Sequence, residues 1–236
     1  MGLADLHLHT IYSYDGTATV PAVLRRAKEI GLDVVAITDH DEIAGALEAV
    51  QLASHFGVEA IPGSEITTAE GDLLALFIEE KIKPGLSLVE TLLCVGDQGG
   101  VAIAAHPMAG GMGMKSLTPH SILKALKHKQ AARILIGIEA YNGTSIDRMS
   151  NRCAQVFANG VRLAQTGSSD AHTIDTIGFG VTEFEGNTAA DLLKALRKRA
   201  TRVRKMNEWS AFRVIGSWGL RYVESAFVRM AGLARA

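Results

Sequence analysis

The amino-acid sequence predicts an α/β fold, a parallel sheet with helices packed outside it and closed as a barrel. Three observations carry this. Strand-like and helix-like segments alternate over nearly all of the 236 residues, the pattern of a parallel sheet covered by helices. Asp33–Asp41, DVVAITDHD, is apolar on successive residues, as in a strand buried on both faces. Polar residues gather where predicted strands end, and in a (β/α) barrel that end forms the active-site face. A chain of this length can bury one core without splitting.

The elements follow in order. Ala4–Asp15, ADLHLHTIYSYD, reads as a short strand ending in His7 and His9, then a loop that offers Asp15. Side chains two apart on a strand share a face, so both imidazoles can converge on one point, the geometry a metal ion asks for. Taken alone, the pair also fits hydrogen-bonded structural histidines. Val20, Val23, Leu24, Ala27 and Ile30 have the spacing of an amphipathic helix over Val20–Leu32, with Gly31 as its stop. The strand Asp33–Asp41 and a helix Glu42–Phe56 come next, then VEAIPGSE and GDLLALFI as strands. Only Ile66 to Gly71 separate these two, so the alternation slips and a hairpin or local irregularity is expected. Leu86–Asp97 is helical, and Gly99–Pro107 is a strand closed by Pro107. After the glycine-rich AGGMGM, a helix is expected over Pro119–Lys129, with Thr118 as N-cap and Pro119 at its first position. ILIGIEAYN is a strand, Ser145–Asn159 a helix, VRLAQTGSSDAH a strand running into a loop, GFGVTEF a short strand, and Thr188–Arg199 a helix.

Hydrophobic content of 47% with 21% charged residues is that of a soluble globular protein. No apolar run reaches the roughly 18 residues of a membrane span, and the N-terminus enters a strand without a leader-like core, so a cytoplasmic location is expected. Cys94 and Cys153 stand alone and read as small buried hydrophobes outside any disulfide. The net charge of −1 hides an asymmetry: from Lys194 onward eleven Lys and Arg face two Glu, a balance of +9, leaving −10 for the first 193 residues. Such a split is most simply solvated surface, yet it gathers acid where a cation could sit.

Eight residues near strand ends are candidate ligands: His7, His9, Asp15, His40, Glu65, His106, Asp170 and His172. Each alone could cap a helix or satisfy a backbone group. Together they are harder to explain away, because carboxylates crowded at one barrel mouth repel unless cations neutralise them, and the same loops carry nothing basic that would. Five imidazoles and three carboxylates exceed one tetrahedral site, which implies two or three divalent metals, and mixed N and O ligands suit Zn, Mn or Fe. His55, His120 and His128 fall on helices and read as surface residues. Asp41 either orients His40 or caps the next helix, and Met112 and Met114 either line a pocket mouth or fill a loop.

In order, ADLHLHTIYSYDG, AITDHD, IPGSEIT, AAHP, GIEAYNG and GSSDAH resemble the signature segments of the PHP (polymerase and histidinol phosphatase) superfamily, over about Leu3–Arg199. The resemblance implies a distorted (β/α)7 TIM-like barrel over residues 1–200 that holds two or three divalent metals and hydrolyses phosphate esters. It also implies that His7, His9, Glu65 and Asp170 hold one metal, that Glu65 bridges to a second held by His106, and that Asp15, His40 and His172 hold a third. Many members carry a His in the strand after the Glu ligand, where this chain has Asp72, and an Arg soon after the HP pair, where it has MAGGMGMK. Lys115 is the candidate replacement for that Arg in binding phosphate, set against its reading as solvated surface. Glu139 and Asn142 match a family segment and read as residues that brace the ligands or touch substrate.

The mechanism expected is metal-assisted hydrolysis, with a hydroxide bridging two metals attacking phosphorus in line and Asp39 or His172 assisting proton transfer to the leaving group. The substrate class is a phosphate monoester, a small phosphorylated metabolite or nucleotide. Two alternatives stand beside it: a nuclease acting on nucleic-acid ends, for which the short loops show no aromatic platform, and an inactive metal-binding module serving a partner. The loops Ile66–Gly71 and Met108–Leu117 carry no distinctive recognition group. Residues 201–236 read as a basic helical extension. Trp209, Phe212, Val223, Phe227 and Met230 fall at near-helical spacing with Arg213, Arg221 and Arg229 among them, and Gly216 and Gly219 are potential breaks. It could pack on the barrel, join two copies, or lie on an anionic membrane or nucleic acid.

Overall fold

The computed structural model describes residues 1–110 and 115–230. Met112 and Met114 of the glycine-rich loop, and the side chains of Phe227, Arg229 and Met230 in the tail, lie outside the described residues. Strands β1 (Gly2–Leu8), β2 (Val34–Ile37) and β3 (Glu59–Thr67) run parallel, joined by α1 (Val20–Glu29) and α2 (Ala44–Phe56). β4 (Asp72–Leu76) pairs antiparallel with β3 and with β5 (Val101–Ala104), which is reached through α3 (Leu88–Asp97). Helices α4 (Pro119–Lys127) and α5 (Ala131–Ile134) lead to β6 (Leu135–Asn142), and α6 (Arg148–Gly160) leads to β7 (Ala164–Ser168), both strands continuing parallel to β5. A 3-10 turn, Ile174–Thr176, precedes β8 (Gly180–Phe184), which runs antiparallel to β1. Then come α7 (Ala189–Lys198), β9 (Arg202–Lys205) antiparallel to β8, and α8 (Ala211–Met230).

The sheet order β7-β6-β5-β4-β3-β2-β1-β8-β9 is an almost closed ring. Its ends meet where Thr182 Oγ1 on β8 donates to Gly167 O on β7 at 2.8 Å and accepts from Gly167 N at 3.1 Å, and where Leu8 bridges Ala171. The slip expected at Ile66–Gly71 is a hairpin: the segment is too short for a crossover helix, so β4 must return antiparallel. Thr68 fastens the turn by donating its hydroxyl to Gly71 O.

Alternate residues of the buried strands face two cores. Ala4, Leu6, Val34, Ala36, Ile61, Leu74 and Phe184 pack inside the barrel with Leu192 and Leu196 of α7. Val35 and Ile37 face outward onto Val20, Val23, Leu24 and Ala49 of α1 and α2. Helix α7 touches β3, β6, β7 and β8, strands on opposite sides of the ring. Its first amide donates to Glu59 at the start of β3. It therefore plugs the N-terminal end of the barrel with apolar side chains and leaves the C-terminal ends as the mouth.

Two features of the tail differ from expectation. Residues 202–205 form an edge strand, so the sheet runs past the boundary expected at 200. Helix α8 runs unbroken through Gly216 and Gly219 and packs on the barrel at its mouth. There Trp218 Nε1 donates to Asp15 O at 3.1 Å, and Ser217 and Arg221 reach Asp175. Among the described residues no helix is long and apolar enough to cross a membrane. Cys153 is exposed on α6 rather than buried, and neither cysteine is in a disulfide.

Candidate metal centre

The mouth gathers all eight candidate ligands. His7 and His9 leave β1 on one face, with ring centroids 5.0 Å apart. Asp15 is brought back toward them because Ile11 N donates to Ala18 O, closing the loop. Gly16 passes so close to Thr10 that a Cβ would lie 2.0 Å from its carbonyl oxygen, so only glycine fits the turn. His40 follows β2 and bridges to Glu65 in β3. His106 and Asp170 follow β5 and β7 with φ of 23° and 54°, positive values that non-glycine residues avoid and that recur where function fixes the backbone.

Ligand atoms fall into three groups, each within 4.8 Å: His7, His9 and Asp170; His7, Glu65 and His106; and His9, Asp15, His40 and His172. Glu65 sits at the centre, with Oε2 3.0 Å from His7 Nε2 and 3.2 Å from His40 Nδ1, and Oε1 2.8 Å from His106 Nε2. Asp15 Oδ2 lies 3.1 Å from His172 Nε2 and 3.4 Å from His40 Nε2. The donor set fits divalent cations. His9 is buried, with Nε2 3.2 Å from Asp170 Oδ1 and 3.3 Å from Glu65 Oε2, and its Nδ1 makes no hydrogen bond. A buried imidazole in that state is costly unless a further partner takes its lone pair. Without a cation the cluster holds protons instead. Burial would lower the His106 pKa, but its hydrogen bond to Glu65 pushes it up to about 9. Burial would raise Asp170 and Asp15, but the neighbouring imidazoles hold both carboxyls below their usual range.

Other residues take different parts from those expected. Glu139 and Asn142 are both buried, and both hydrogen-bond to candidate ligands and so brace the centre. Glu139 accepts from His106 N at 2.6 Å, from Ser168 Oγ at 2.6 Å and from His7 Nδ1 at 3.0 Å, which turns His7 Nε2 inward. Asn142 Nδ2 donates to Asp170 Oδ2 at 2.9 Å. Asp39, expected to move a proton, has both oxygens engaged by Thr10, at 2.6 Å from its amide and 2.7 Å from its hydroxyl. These bonds hold the loop after β1. Asp41 accepts from Thr67 N and so braces the neighbouring strand end. The Lys115 side chain is exposed and forms no ion pair among the described residues, while its carbonyl accepts from Asp72 N.

Two acids and one aromatic at the site were missed or misread. Asp5, in register with Val35 and separated from His7 and His9 by an irregularity in β1, accepts from Ser169 N and Gly178 N and ties down the loop that bears Asp170. Asp72 is buried with Oδ1 lacking a hydrogen bond, and burial followed by the charge of Glu65 pushes its pKa up to about 6. Tyr14 is 71% exposed and stacks on His40 with centroids 5.1 Å apart, an aromatic platform where none was expected.

A PHP domain family model matches residues 5–220. Among curated relatives, an uncharacterized protein of Methanocaldococcus jannaschii is 39% identical over 161 residues, spanning 64% of this chain and 88% of its own. The error-prone DNA polymerase of Pseudomonas aeruginosa is 27% identical over 180 residues, 72% of this chain and 17% of the polymerase. In fold, the chain resembles a two-domain protein from Bacteroides vulgatus described as containing a predicted PHP-like metal-dependent phosphoesterase. The TM-score is 0.69 at 19% identity, covering 94% of this chain and 69% of that one.

Proposed function

This chain belongs to the PHP domain family, and we propose that it is a metal-dependent phosphoesterase hydrolysing a phosphate monoester, a small phosphorylated metabolite or nucleotide. The observation that carries the proposal is the convergence of eight ligand-type side chains, five of them buried, in a group that includes His9, whose Nδ1 makes no hydrogen bond. His7, His9 and Asp170 would hold one divalent ion, Glu65 and His106 a second, and Asp15, His40 and His172 a third, each imidazole giving one nitrogen to one ion. Bound Zn, Mn or Fe would lower the pKa of water from 15.7 toward about 7 and neutralise phosphate oxygens.

The chain's own residues supply orientation and proton handling. Glu139 fixes His7, Asn142 fixes Asp170, and Asp5 fixes the loop between β7 and the 3-10 turn. The His172 side chain keeps 22% exposure and its Nδ1 lies 3.0 Å from Asp170 O, so Nε2 can exchange a proton near solvent. With no ion on its Nε2, His172 would be the group suited to protonate a leaving alkoxide; an ion held by Asp15, His40 and His172 would take that nitrogen instead, and the Asp39 carboxyl is engaged by Thr10.

Metal analysis of the purified protein, with p-nitrophenyl phosphate turnover in Mn, Zn or Fe, tests the reading. His7→Ala and Asp170→Ala should each lose bound metal and at least about 100-fold in kcat/KM. Unchanged metal content and turnover in both variants would sink it. A second reading, a nucleotide or nucleic-acid end as substrate, is favoured by Tyr14, whose exposed ring could stack a base. Stacking is worth about 1–3 kcal/mol, so Tyr14→Ala should raise KM roughly tenfold for nucleotides and leave an aliphatic phosphate such as glycerol phosphate unaffected.

A further inference from the structure

A cavity of about 270 Å3 lies beside the metal cluster, and the chemistry above makes no use of it. One wall is the loop at 142–146 that follows β6. The same loop supports the cluster from its other side: Asn142 Nδ2 donates to Asp170 Oδ2 at 2.9 Å, and Thr144 Oγ1 donates to Asp170 O at 3.0 Å. Cavity and cluster therefore share a wall one loop thick.

The remaining walls include Arg148 and Arg152 on α6, Lys205 at the end of β9, and Glu208 and Trp209 between β9 and α8. Three cations face one carboxylate. Glu208 is ion-paired with both Arg148 and Lys205, and Arg148 also donates to Trp209 O at 3.3 Å. These contacts fix two of the cations in place before any ligand arrives, which lowers the cost of ordering them on binding. Arg152 makes no ion pair among the described residues, and the lining carries an excess of two positive charges. The volume is close to the lower end for small-molecule sites, enough for an oxyanion with part of its carrier. Guanidinium groups suit that ligand because their donors match the oxygens of phosphate or carboxylate in pairs.

We propose that this cavity binds a second anionic group, phosphate or carboxylate, of the substrate whose scissile phosphate lies at the metal cluster. The proposal rests on the phosphoesterase reading and narrows its substrate class to doubly anionic compounds. It also gives the basic tail a function, since Lys205, Glu208 and Trp209 are three of the residues that line the cavity.

The test uses the full-length, metal-loaded protein with p-nitrophenyl phosphate as reporter substrate. Alkanediol bisphosphates from propanediol to octanediol, and the matching monophosphates, serve as inhibitors. In the wild type, the best bisphosphate should inhibit at least tenfold more strongly than its monophosphate. In the double variant Arg152→Gln, Lys205→Gln that ratio should fall to near one. Equal inhibition by both series in the wild type, or a preference that survives the double substitution, would overturn the proposal. A wild type that turns over no p-nitrophenyl phosphate with Mn, Zn or Fe would instead remove the phosphoesterase reading and the substrate assignment with it. Calorimetric titration of inorganic phosphate into the metal-free proteins separates a free anion from a substrate group. Phosphate binding that the double variant weakens tenfold, without any bisphosphate preference in the wild type, would make the cavity a site for a separate anion and overturn the assignment to substrate.

Discussion

At the scale of single residues, the metal-free protein stores protons that a cation would displace, and this fixes the direction of its pH response. His106 is pushed up to about 9 against an ordinary value near 6.5, because its hydrogen bond and charge attraction to Glu65 outweigh burial. A raised folded-state pKa gives stability that is fully present below 6.5 and is lost as pH rises through about 9. Melting temperature in chelator should therefore fall across that window, and His106→Gln should flatten the fall. Metal-loaded protein should show far less of it, since a ligated imidazole has already released its proton. Scanning calorimetry with and without chelator checks both. Asp72 acts with the opposite chemistry but the same sign. Its carboxyl is pushed up to about 6 from 3.8 by burial and Glu65, so the folded state holds a proton that the unfolded chain gives up earlier, and stability falls as pH rises from about 4 to 6. Asp72→Asn should remove that loss and stabilise the metal-free protein at pH 7 by up to about 3 kcal/mol at about 1.4 kcal/mol per unit. A destabilised Asp72→Asn protein in chelator would show that the acid is paired there rather than stranded.

At the scale of elements, the loop after β1 and helix α8 act together on the cluster of Asp15, His40 and His172. Trp218 Nε1 is the donor that joins α8 to the Asp15 backbone, while Ser217 and Arg221 hold Asp175 in the 3-10 turn just beyond His172. Trp218→Phe deletes the donor and keeps most of the ring, and should weaken metal binding at this cluster roughly tenfold, the scale seen when a group supporting a ligand is lost. Metal stoichiometry by mass spectrometry after graded dialysis reads this out, and loss of one metal with the others retained is the expected pattern. Little of this was legible in the sequence. The strand ends and their histidines were, because HxH on a strand and buried apolar runs ending in acids follow from a period of two. Strand β9 was not: RVRK is short and mostly charged, and it is a strand only because β8 offers it an open edge. The continuity of α8 was hidden as well, since Gly216 and Gly219 are poor helix formers whose cost packing against the mouth offsets. The parts played by Glu139, Asn142 and Asp39 depend on partners that neighbouring strands supply across the mouth, so only tertiary structure could assign them.

At the scale of the whole molecule, the centre exists because the sheet closes. His7 and His9 come from one end of the strand order and Asp170 and His172 from the other, so the two halves of the cluster meet only where β7 returns to β1 and β8. Thr182 is one of the side chains that fasten that seam. It both donates to and accepts from the Gly167 backbone, and Gly167 and Ser168 lead directly into Asp170. Thr182→Val preserves shape and deletes the hydroxyl, leaving a buried amide and a buried carbonyl of Gly167 without that partner. Each such orphaned group costs about 1–3 kcal/mol, so a loss of at least about 2 kcal/mol is expected in chemical denaturation. Seam opening and metal release are coupled through Asp170, so metal should restore part of the lost stability, and metal affinity should fall in the variant because binding must now draw the seam together. If Thr182→Val lost stability with no change in metal affinity, closure and coordination would be independent. The near-closed ring would then be only a scaffold, not the device that assembles the site.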